Sequence, residues 1–455
     1  MLPIANTNMR DFNHPPALPD FSILNPQKGH GMERLFIKGM NGKPLMGKVV
    51  AMGSKNASLP EMVASLLTEQ PLTLSRLPAL ADLETMAEML AMMGVMIDSQ
   101  FFLNKSSLTL CADHIAKPFA PYDVVRKMRA SIFVLGPMLA RLGRASVSLP
   151  GGCAIGARPV DLHISALEKM GAHIEVVDGY VVATAKHGLT GAVIDFPTVS
   201  VGATENIMMA ATLASGTTLL KNAACEPEII DLGNLLIKMG ANISGLGRDN
   251  ITIRGVKKLS GTSHRVIADR IEVGSILCAV ACNGGEVMVE QADPDHLGAL
   301  LDVLQQMGVT ISKSADHVEI KMAGRVKAVN FLATAPYPAF PTDLQAQLMA
   351  VLAIAAGTSK IEESIFENRY MHVPELNRLG AKISLRKMVA TIKGVEHLHA
   401  APVMATDLRA SMSLVIAGLK AKGETILSRL YHLDRGYDGL EEKLSSLGAV
   451  ISRKP

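Results

Sequence analysis

Cys153 is the first residue whose setting suggests chemistry. It stands in Leu149-Pro-Gly-Gly-Cys153-Ala-Ile-Gly156-Ala-Arg158-Pro159, a glycine-rich loop that displays one thiol with a guanidinium five residues on. A nearby cation favours the thiolate, which sets such a cysteine apart from an inert buried one and makes it a candidate nucleophile or proton donor. Cys278 and Cys282, four apart in Ala-rich helical sequence with no histidine nearby, read as buried small residues rather than a metal pair. Gly42 to Val49 almost spells a phosphate loop, but Val49 stands where a hydroxyl must meet magnesium, so that reading fails. His397 and His399 alternate along strand-like sequence and read as a solvated edge.

A second kind of chemistry is suggested by polar residues that open apolar helices. In Gly53-Ser-Lys55-Asn56-Ala-Ser58-Leu-Pro60-Glu61, the Ser58 and Glu61 spacing predicts a capping box with Pro60 in the first turn. Lys55 and Asn56 then lie just ahead of a helix N-terminus, where unpaired N–H groups and the dipole favour an anion. Similar starts recur at Arg129, at Ser200-Val201-Gly202, at Asp269-Arg270, at Pro341-Thr-Asp343 and at Thr406-Asp407-Leu-Arg409. Six such helix openings gathered in two facing clusters would line a cleft suited to a substrate with several negative charges.

The elements that must hold these residues come from a repeat. The pattern Leu-x-x-(Leu/Met)-Gly-(Ala/Val)-x-Ile occurs at Leu90 to Ile97, Leu167 to Ile174, Leu236 to Ile243, Leu304 to Ile311, Leu376 to Ile383 and Leu444 to Ile451, with glycines 68 to 77 residues apart. The two apolar residues share a helix face, the glycine suits a left-handed C-terminal cap, and the isoleucine begins a strand. Between these landmarks run Ala-rich helices, such as Ala210 to Leu220, Ala350 to Ile361 and Ile416 to Leu427, each ending in glycine and a Thr-containing strand. Helices so poor in charge must be covered by strands. The expected fold is therefore α/β: an inside-out α/β barrel in two lobes, built from six modules of about 70 residues, a unit too long for an ordinary solenoid. The last copy leaves no chain for its remaining strands, while residues 35–52 are strand-like without a helix, so the N-terminal segment is expected to complete the final unit. This gives one lobe at 54–267, a second at 34–53 plus 268–455, two chain crossings that act as a hinge, and a loosely ordered extension over 1–33.

Composition narrows the function classes. Lys plus Arg is 45 and Asp plus Glu 42 in 455 residues, a net charge of +3 that offers no general nucleic-acid or membrane patch. Aromatics are 4% with no Trp, too few for base-stacking platforms. Apolar residues at 48% and charged residues at 19% describe a globular protein. Mean hydropathy is +0.25, yet no apolar run approaches the ~18 to 20 residues of a membrane span. Five scattered cysteines and an N-terminus without an apolar signal core point to a reducing, cytoplasmic setting.

Several of these motifs, taken in order, resemble the enolpyruvyl transferase family, and within it the UDP-N-acetylglucosamine 1-carboxyvinyltransferases. They are Ser-Lys55-Asn56-Ala, Leu-Pro-Gly-Gly-Cys153, Ile-Gly-Ala-Arg158-Pro-Val-Asp161-Leu-His163, Phe-Pro-Thr-Asp343-Leu-Gln-Ala-Gln, Phe-Glu-Asn-Arg369, Asp407-Leu-Arg409 and His-Leu-Asp-Arg435-Gly-Tyr. The resemblance runs from about residue 34 to the end, with residues 99–107 longer than expected. It implies the two-lobed fold, transfer of enolpyruvyl from phosphoenolpyruvate to the 3-hydroxyl of UDP-N-acetylglucosamine at the start of peptidoglycan synthesis, and no metal or organic cofactor. It also implies roles. Cys153 is the acid for the vinyl methylene and Asp343 the base for the sugar hydroxyl. Lys55, Arg158 and Arg435 hold the substrate phosphate, with Arg129 and Arg409 completing the cationic pocket. Asn56, Ile365 and Arg369 fall at substrate positions, Ile365 where the family commonly has Val. Arg158, Pro159, Val160, Asp161, Leu162 and His163 match the uridine site, and Ser200, Val201 and Gly202 put the diphosphate at a helix N-terminus.

The shikimate-pathway sibling shares the barrel but uses no loop cysteine, and it would leave the run from Arg158 to His163 without a purpose. A non-catalytic nucleotide-sugar-binding protein would need neither acid nor base. The expected partners are the two small-molecule substrates, with no nucleic acid, no membrane and a monomeric state.

Overall fold

The computed structural model describes residues 33–98, 107–126, 128–149 and 160–455. The N-terminal extension, the lengthened stretch at 99–106, and Cys153, Arg158 and Pro159 lie outside the described residues.

Six mostly buried helices form the interior: α1 (Lys55–Val63), α2 (Leu135–Leu142), α3 (Val201–Ala211), α4 (Arg270–Asn283), α5 (Gln345–Leu352) and α6 (Leu408–Lys420). All of α4 is buried, which follows from its Ala, Val, Cys and Ser content: small residues let helices pack closely and leave little to solvate. The serines of α6 do not strand their hydroxyls, since Ser411 and Ser413 donate to the carbonyls of Asp407 and Ala410, each at 2.6 Å. The six repeat glycines, Gly94, Gly171, Gly240, Gly308, Gly380 and Gly448, all have φ between 91° and 107°, the left-handed conformation that ends a helix and that a Cβ disfavours.

Each module contributes one four-stranded sheet, and all six sheets share one plan: an edge strand parallel to its neighbour, then two antiparallel pairings. The plan fixes where the distant chain segments go. Arg34–Lys38 lies between Glu424–Ser428 and Val450–Lys454 and completes the sheet of the last module. Leu45–Val50 goes elsewhere, running parallel to Gly285–Glu290 in the fourth module, so the strand-like N-terminal segment serves two sheets rather than one. Thr262–Arg265 correspondingly returns to Leu72–Ser75 in the first module. Strands alternate, as in Arg34–Lys38, where Leu35 and Ile37 face the helices and Arg34 and Lys38 face water. Among the described residues no strand belongs to two sheets, so the α/β architecture is six separate four-stranded sheets packed on buried helices, not a hydrogen-bonded barrel.

Two hydrophobic cores result. One draws on residues 52–266 and the other on 35–51 and 268–451. At the crossings, the Ser54 N–H donates to Ile267 O at 2.8 Å and the Asp269 N–H to Met52 O at 2.9 Å, so the two connecting segments are paired to each other. No helix among the described residues is long and apolar enough to cross a membrane.

Candidate active site

The capping box expected at Ser58 and Glu61 does not form. Ser54 is the cap, accepting from the Ala57 N–H at 3.3 Å, and α1 begins at Lys55, so Lys55 and Asn56 lie in the first turn rather than before it. The Lys55 N–H is not left for an anion either, because it donates to Asp269 at 3.2 Å across the chain crossings. Glu61 is completely buried and cannot reach back to a helix end. The other openings are capped as their residue types suggest: Ser200 accepts from the Ala203 N–H at 3.2 Å, and Asp269 and Asp407 each accept two amides of the following turn.

In the second lobe, Asp343 lies in a 3₁₀ turn leading into α5. Its Oδ1 receives Arg369 at 2.8 Å, and its Oδ2 receives the Nε of Arg409, from the first turn of α6, at 3.2 Å. Arg369 and Arg409 are buried, whereas a quarter of the Asp343 side chain is exposed, so the carboxylate is the outward-facing member of the group. Burial opposes the Arg409 charge, but Asp343 and Tyr437 outweigh it and push its pKa up, so the cation is permanent. The Tyr437 ring lies 6.0 Å from the Arg409 guanidinium, and its hydroxyl meets Ser275 at 2.9 Å and Gln347 at 3.1 Å.

Glu363, fully buried, ties the segments on either side of Asp343 together. Its Oε1 accepts from Thr334 and from the backbone of Ile365 and Phe366, and its Oε2 accepts from the Thr342 hydroxyl at 2.9 Å. Ile365 is thereby held half-buried in the turn that leads to Arg369.

In the first lobe, Lys55 Nζ contacts Asp82 at 2.8 Å, and Asp82 also receives Arg435 of the second lobe at 2.9 Å. Burial lowers the Lys55 pKa, with Asp82 opposing and Arg409 and Arg435 adding to the fall. For Asp82, burial is outweighed by Lys55 and Arg435, which hold its carboxyl below the usual range. Lys55, Arg409 and Arg435, which come from both lobes, are therefore one electrostatic group. Asn56, next to Lys55, is partly exposed.

The remaining candidates gather on the same lobe as Lys55. Arg129 opens the 3₁₀ turn before α2, and it acts on His163 strongly enough to lower that imidazole's pKa. Burial is the larger cause, and together they bring His163 down to about 4, so it is neutral. His163 Nδ1 accepts from Asn206 of α3 at 2.9 Å, and Asn206 in turn accepts from the Gly136 N–H at 2.9 Å, so the ring is fixed from behind. A Cβ on Gly202 would come within 3.1 Å of Phe133 and 3.7 Å of His163, which places the start of α3 against both. Asp161, exposed, begins the helix Asp161–Lys169, with Val160 and Leu162 half-buried around it. The structure thus assembles two groups: Lys55, Asp343, Arg369, Arg409 and Arg435, linked to one another across the two lobes, and Arg129, Val160 to His163 and Ser200 to Gly202 on the first lobe.

One further buried cluster lies beneath α1. Glu61, Asp231 and His264 are close enough to suggest a metal trio. The donor set argues against a cation. Lys238 donates to His264 Nδ1 at 3.0 Å, which leaves the ring's proton on Nε2, directed at Asp231 Oδ1 at 2.8 Å, and no lone pair there. Asp231 Oδ2 already accepts the Ile267 N–H at 2.9 Å. Burial, then Asp231 and Glu205, push Glu61 well above the usual carboxyl range. A protonated Glu61 has an O–H to give Asp231, which accounts for one of its two oxygens that otherwise have no partner. Glu61 therefore keeps its proton when folded and releases it on unfolding above about pH 4–5, so this group destabilises the protein as pH rises. Glu61→Gln removes that penalty. Its melting temperature relative to wild type should climb as pH rises above about 5; a difference constant with pH would mean Glu61 is ionised in the fold.

Sequence reasoning did not single out Asp82, Glu363 or Tyr437. Tyr437 had a signal, two residues past Arg435 in a quoted motif. Asp82 had only its place in the first turn of the helix Ala81–Met93.

Two lobes of three sheet-and-helix modules, with a cation-rich group carried on helix openings from both, define an enolpyruvyl transferase architecture. The profile of the EPSP synthase (3-phosphoshikimate 1-carboxyvinyltransferase) family matches residues 40–444. The chain is 54% identical over 423 residues to the UDP-N-acetylglucosamine 1-carboxyvinyltransferase of Dinoroseobacter shibae, covering 93% of this chain and 99% of that one. It is 52% identical to the Acinetobacter baylyi protein of the same name over 423 residues, 93% of this chain and all of that one. Among solved structures, the enolpyruvyl transferase NikO from Streptomyces tendae superposes with a TM-score of 0.82 at 25% identity, over 93% of this chain and 99% of NikO. An EPSP synthase from Acinetobacter baumannii gives 0.72 at 18% identity over 93% of this chain and 100% of that one, which speaks to fold alone. The chain belongs to the EPSP synthase family of enolpyruvyl transferases.

Proposed function

We propose that this enzyme transfers the enolpyruvyl group of phosphoenolpyruvate to the 3-hydroxyl of UDP-N-acetylglucosamine, releasing phosphate, at the first committed step of peptidoglycan synthesis. The observation that carries the reading beyond the names of relatives is the pairing of two half-sites. A cationic group of Lys55, Arg409 and Arg435 suits a phosphate and a carboxylate, and the partly exposed Asp343 carboxylate is joined to that group through Arg409, with Arg369 on its other oxygen.

The chemistry is an addition followed by an elimination. A proton goes to the methylene carbon while the sugar oxygen bonds to the neighbouring carbon and gives up its own proton. The reverse proton loss then expels phosphate and restores the double bond. Cys153 is the acid for the first step, since a thiol can hand over a proton at neutral pH that a hydroxyl would keep. Asp343 accepts the sugar proton. Its two arginines fix the carboxylate's direction, which matters because positioning supplies much of the rate in such a step. Lys55, Arg158 and Arg435 hold the phosphate, and Arg129 and Arg409 complete the anion pocket. Neutral His163, with Arg158 to Leu162, forms the uridine side, and the opening of α3 at Ser200 to Gly202 receives the diphosphate. Asn56, Ile365 and Arg369 contact the sugar or frame it. Each step needs only side chains and the two substrates. The protein works as a cytoplasmic monomer whose lobes close about the paired crossings, and it is a target for the phosphonate epoxide fosfomycin.

Phosphate release measured with phosphoenolpyruvate and UDP-N-acetylglucosamine tests the reading. Release with that acceptor and none with shikimate 3-phosphate is expected. The opposite preference would make the chain the shikimate-pathway enzyme, and binding without release would make it a sugar-nucleotide carrier.

A further inference from the structure

The segment 429–439 delivers the second lobe's contribution to the site, and it is held from behind by the end of the chain. It begins at Arg429 and ends at Gly439, both left-handed with φ of 61° and 60°, and folds back on itself through Asp434 N–H to Leu430 O at 2.9 Å and Tyr437 N–H to Leu433 O at 3.1 Å. From this compact loop Arg435 reaches Asp82, Asp438 accepts the Ala79 N–H at 2.9 Å, and Tyr437 lies beside Arg409. All three contacts depend on where the loop backbone sits.

Arg453, on the last strand, is the side chain that anchors it. Its guanidinium forks onto Asp434, with Nη2 to Oδ1 at 2.6 Å and Nη1 to Oδ2 at 3.0 Å, while Nε reaches Glu441 at 2.9 Å and Nη1 also reaches Glu33 at 3.4 Å. These partners all belong to the second lobe or to the strand entering it. A two-point fork fixes the plane of the carboxylate as well as its distance, which one point of contact does not. Asp434 is the residue immediately before Arg435, about 3.8 Å away along the chain, so an error at one is passed to the other.

We infer that Arg453 is a positioning residue for Arg435: through Asp434 it sets the height and direction from which Arg435 meets Asp82 and the substrate phosphate. This rests on the reading of Arg435 as a phosphate holder. A merely structural role, in which Arg453 fastens the helix Leu440–Ser446 through Glu441, predicts a different pattern of effects.

The test combines steady-state kinetics with amide hydrogen exchange on the full chain. Arg453→Gln should raise KM for phosphoenolpyruvate about tenfold, because small misplacements of a positioned group are costly, while KM for UDP-N-acetylglucosamine stays within about twofold. Exchange across 429–439 should quicken about tenfold, with α6 unchanged. Arg453→Lys should recover part of the loss through one point of contact, and if the Gln variant fails to fold, the Lys variant carries the test with a rise of about threefold. Asp434→Asn should resemble Arg453→Gln, and the double variant should be no worse than either, since all three break one fork. An unchanged KM for phosphoenolpyruvate, or equal rises for both substrates with exchange quickened throughout the lobe, would overturn the inference. If the wild type releases no phosphate, the functional reading falls. The exchange pattern and the double variant then decide separately whether Arg453 holds the loop.

Discussion

Asp343→Asn is expected to lower turnover by ~10² to 10⁴, the usual worth of a positioned base. The amide keeps the outline of the carboxylate but cannot take the sugar proton. The structure adds a second consequence. Asp343 is the shared counter-ion of Arg369 and Arg409, and an asparagine can accept from only one of them while its NH₂ faces the other. Removing one partner of a buried pair costs at most about 3–5 kcal/mol, and here less, since Asp343 is partly exposed and Arg409 also lies beside Tyr437. The variant should therefore melt lower than wild type yet remain folded, and its dissociation constant for UDP-N-acetylglucosamine should change far less than its turnover. Calorimetric titration beside the phosphate assay separates these effects. A turnover number within tenfold of wild type would show that another group is the base.

The parts of this site legible in the sequence are those written in local pattern. The six glycines predict helix ends because a left-handed residue is a local requirement, and the Ala-rich runs predict buried helices because no other placement suits their composition. The helix openings that carry Ser200, Asp269 and Asp407 are local in the same way. The first opening misleads because two candidates compete within it. Ser58 with Glu61 fits a capping box better than Ser54 does, but the burial of the Glu61 side chain of α1, beside Asp231 and His264, is decided by segments some 170 to 200 residues away. Asp82 is hidden for the same reason, since its partner Arg435 is 353 residues along the chain and no spacing rule connects them. The two N-terminal strands alternate alike, and only the common plan of the sheets reveals that they part company. Roles tied to Cys153 and Arg158 are carried by motif resemblance.

Treatment with fosfomycin should attach the drug to Cys153, faster when UDP-N-acetylglucosamine is present. The phosphonate mimics the substrate phosphate, so the cations that hold one should hold the other. Lys55 and Arg435 are already gathered on a single carboxylate, Asp82, an arrangement that shows these two cations can grip one anion between the lobes. With the epoxide carried to the thiol, an ordinary alkylation becomes a positioned one, and the thiolate sulfur opens the ring at carbon while the ring oxygen takes up a proton. Cys153→Ser should resist the drug and lose most of its turnover, because a hydroxyl is too weak an acid for the methylene. Cys153→Asp should also resist, yet retain turnover, since a carboxyl can donate a proton. The surrounding cations hold that carboxyl ionised, so the variant should be most active at lower pH, opposite to the loss expected on acidifying a site that depends on anionic Asp343 alone. The other cysteines give the control. Burial pushes Cys278 and Cys282 thiols far up, the latter to about 12, and burial together with acidic neighbours raises that of Cys225, so none of these three is a competing thiolate at neutral pH. Peptide mass mapping decides the matter: an adduct on any of the other four cysteines, Cys111, Cys225, Cys278 or Cys282, with Cys153 unmodified, would remove the loop thiol from the mechanism.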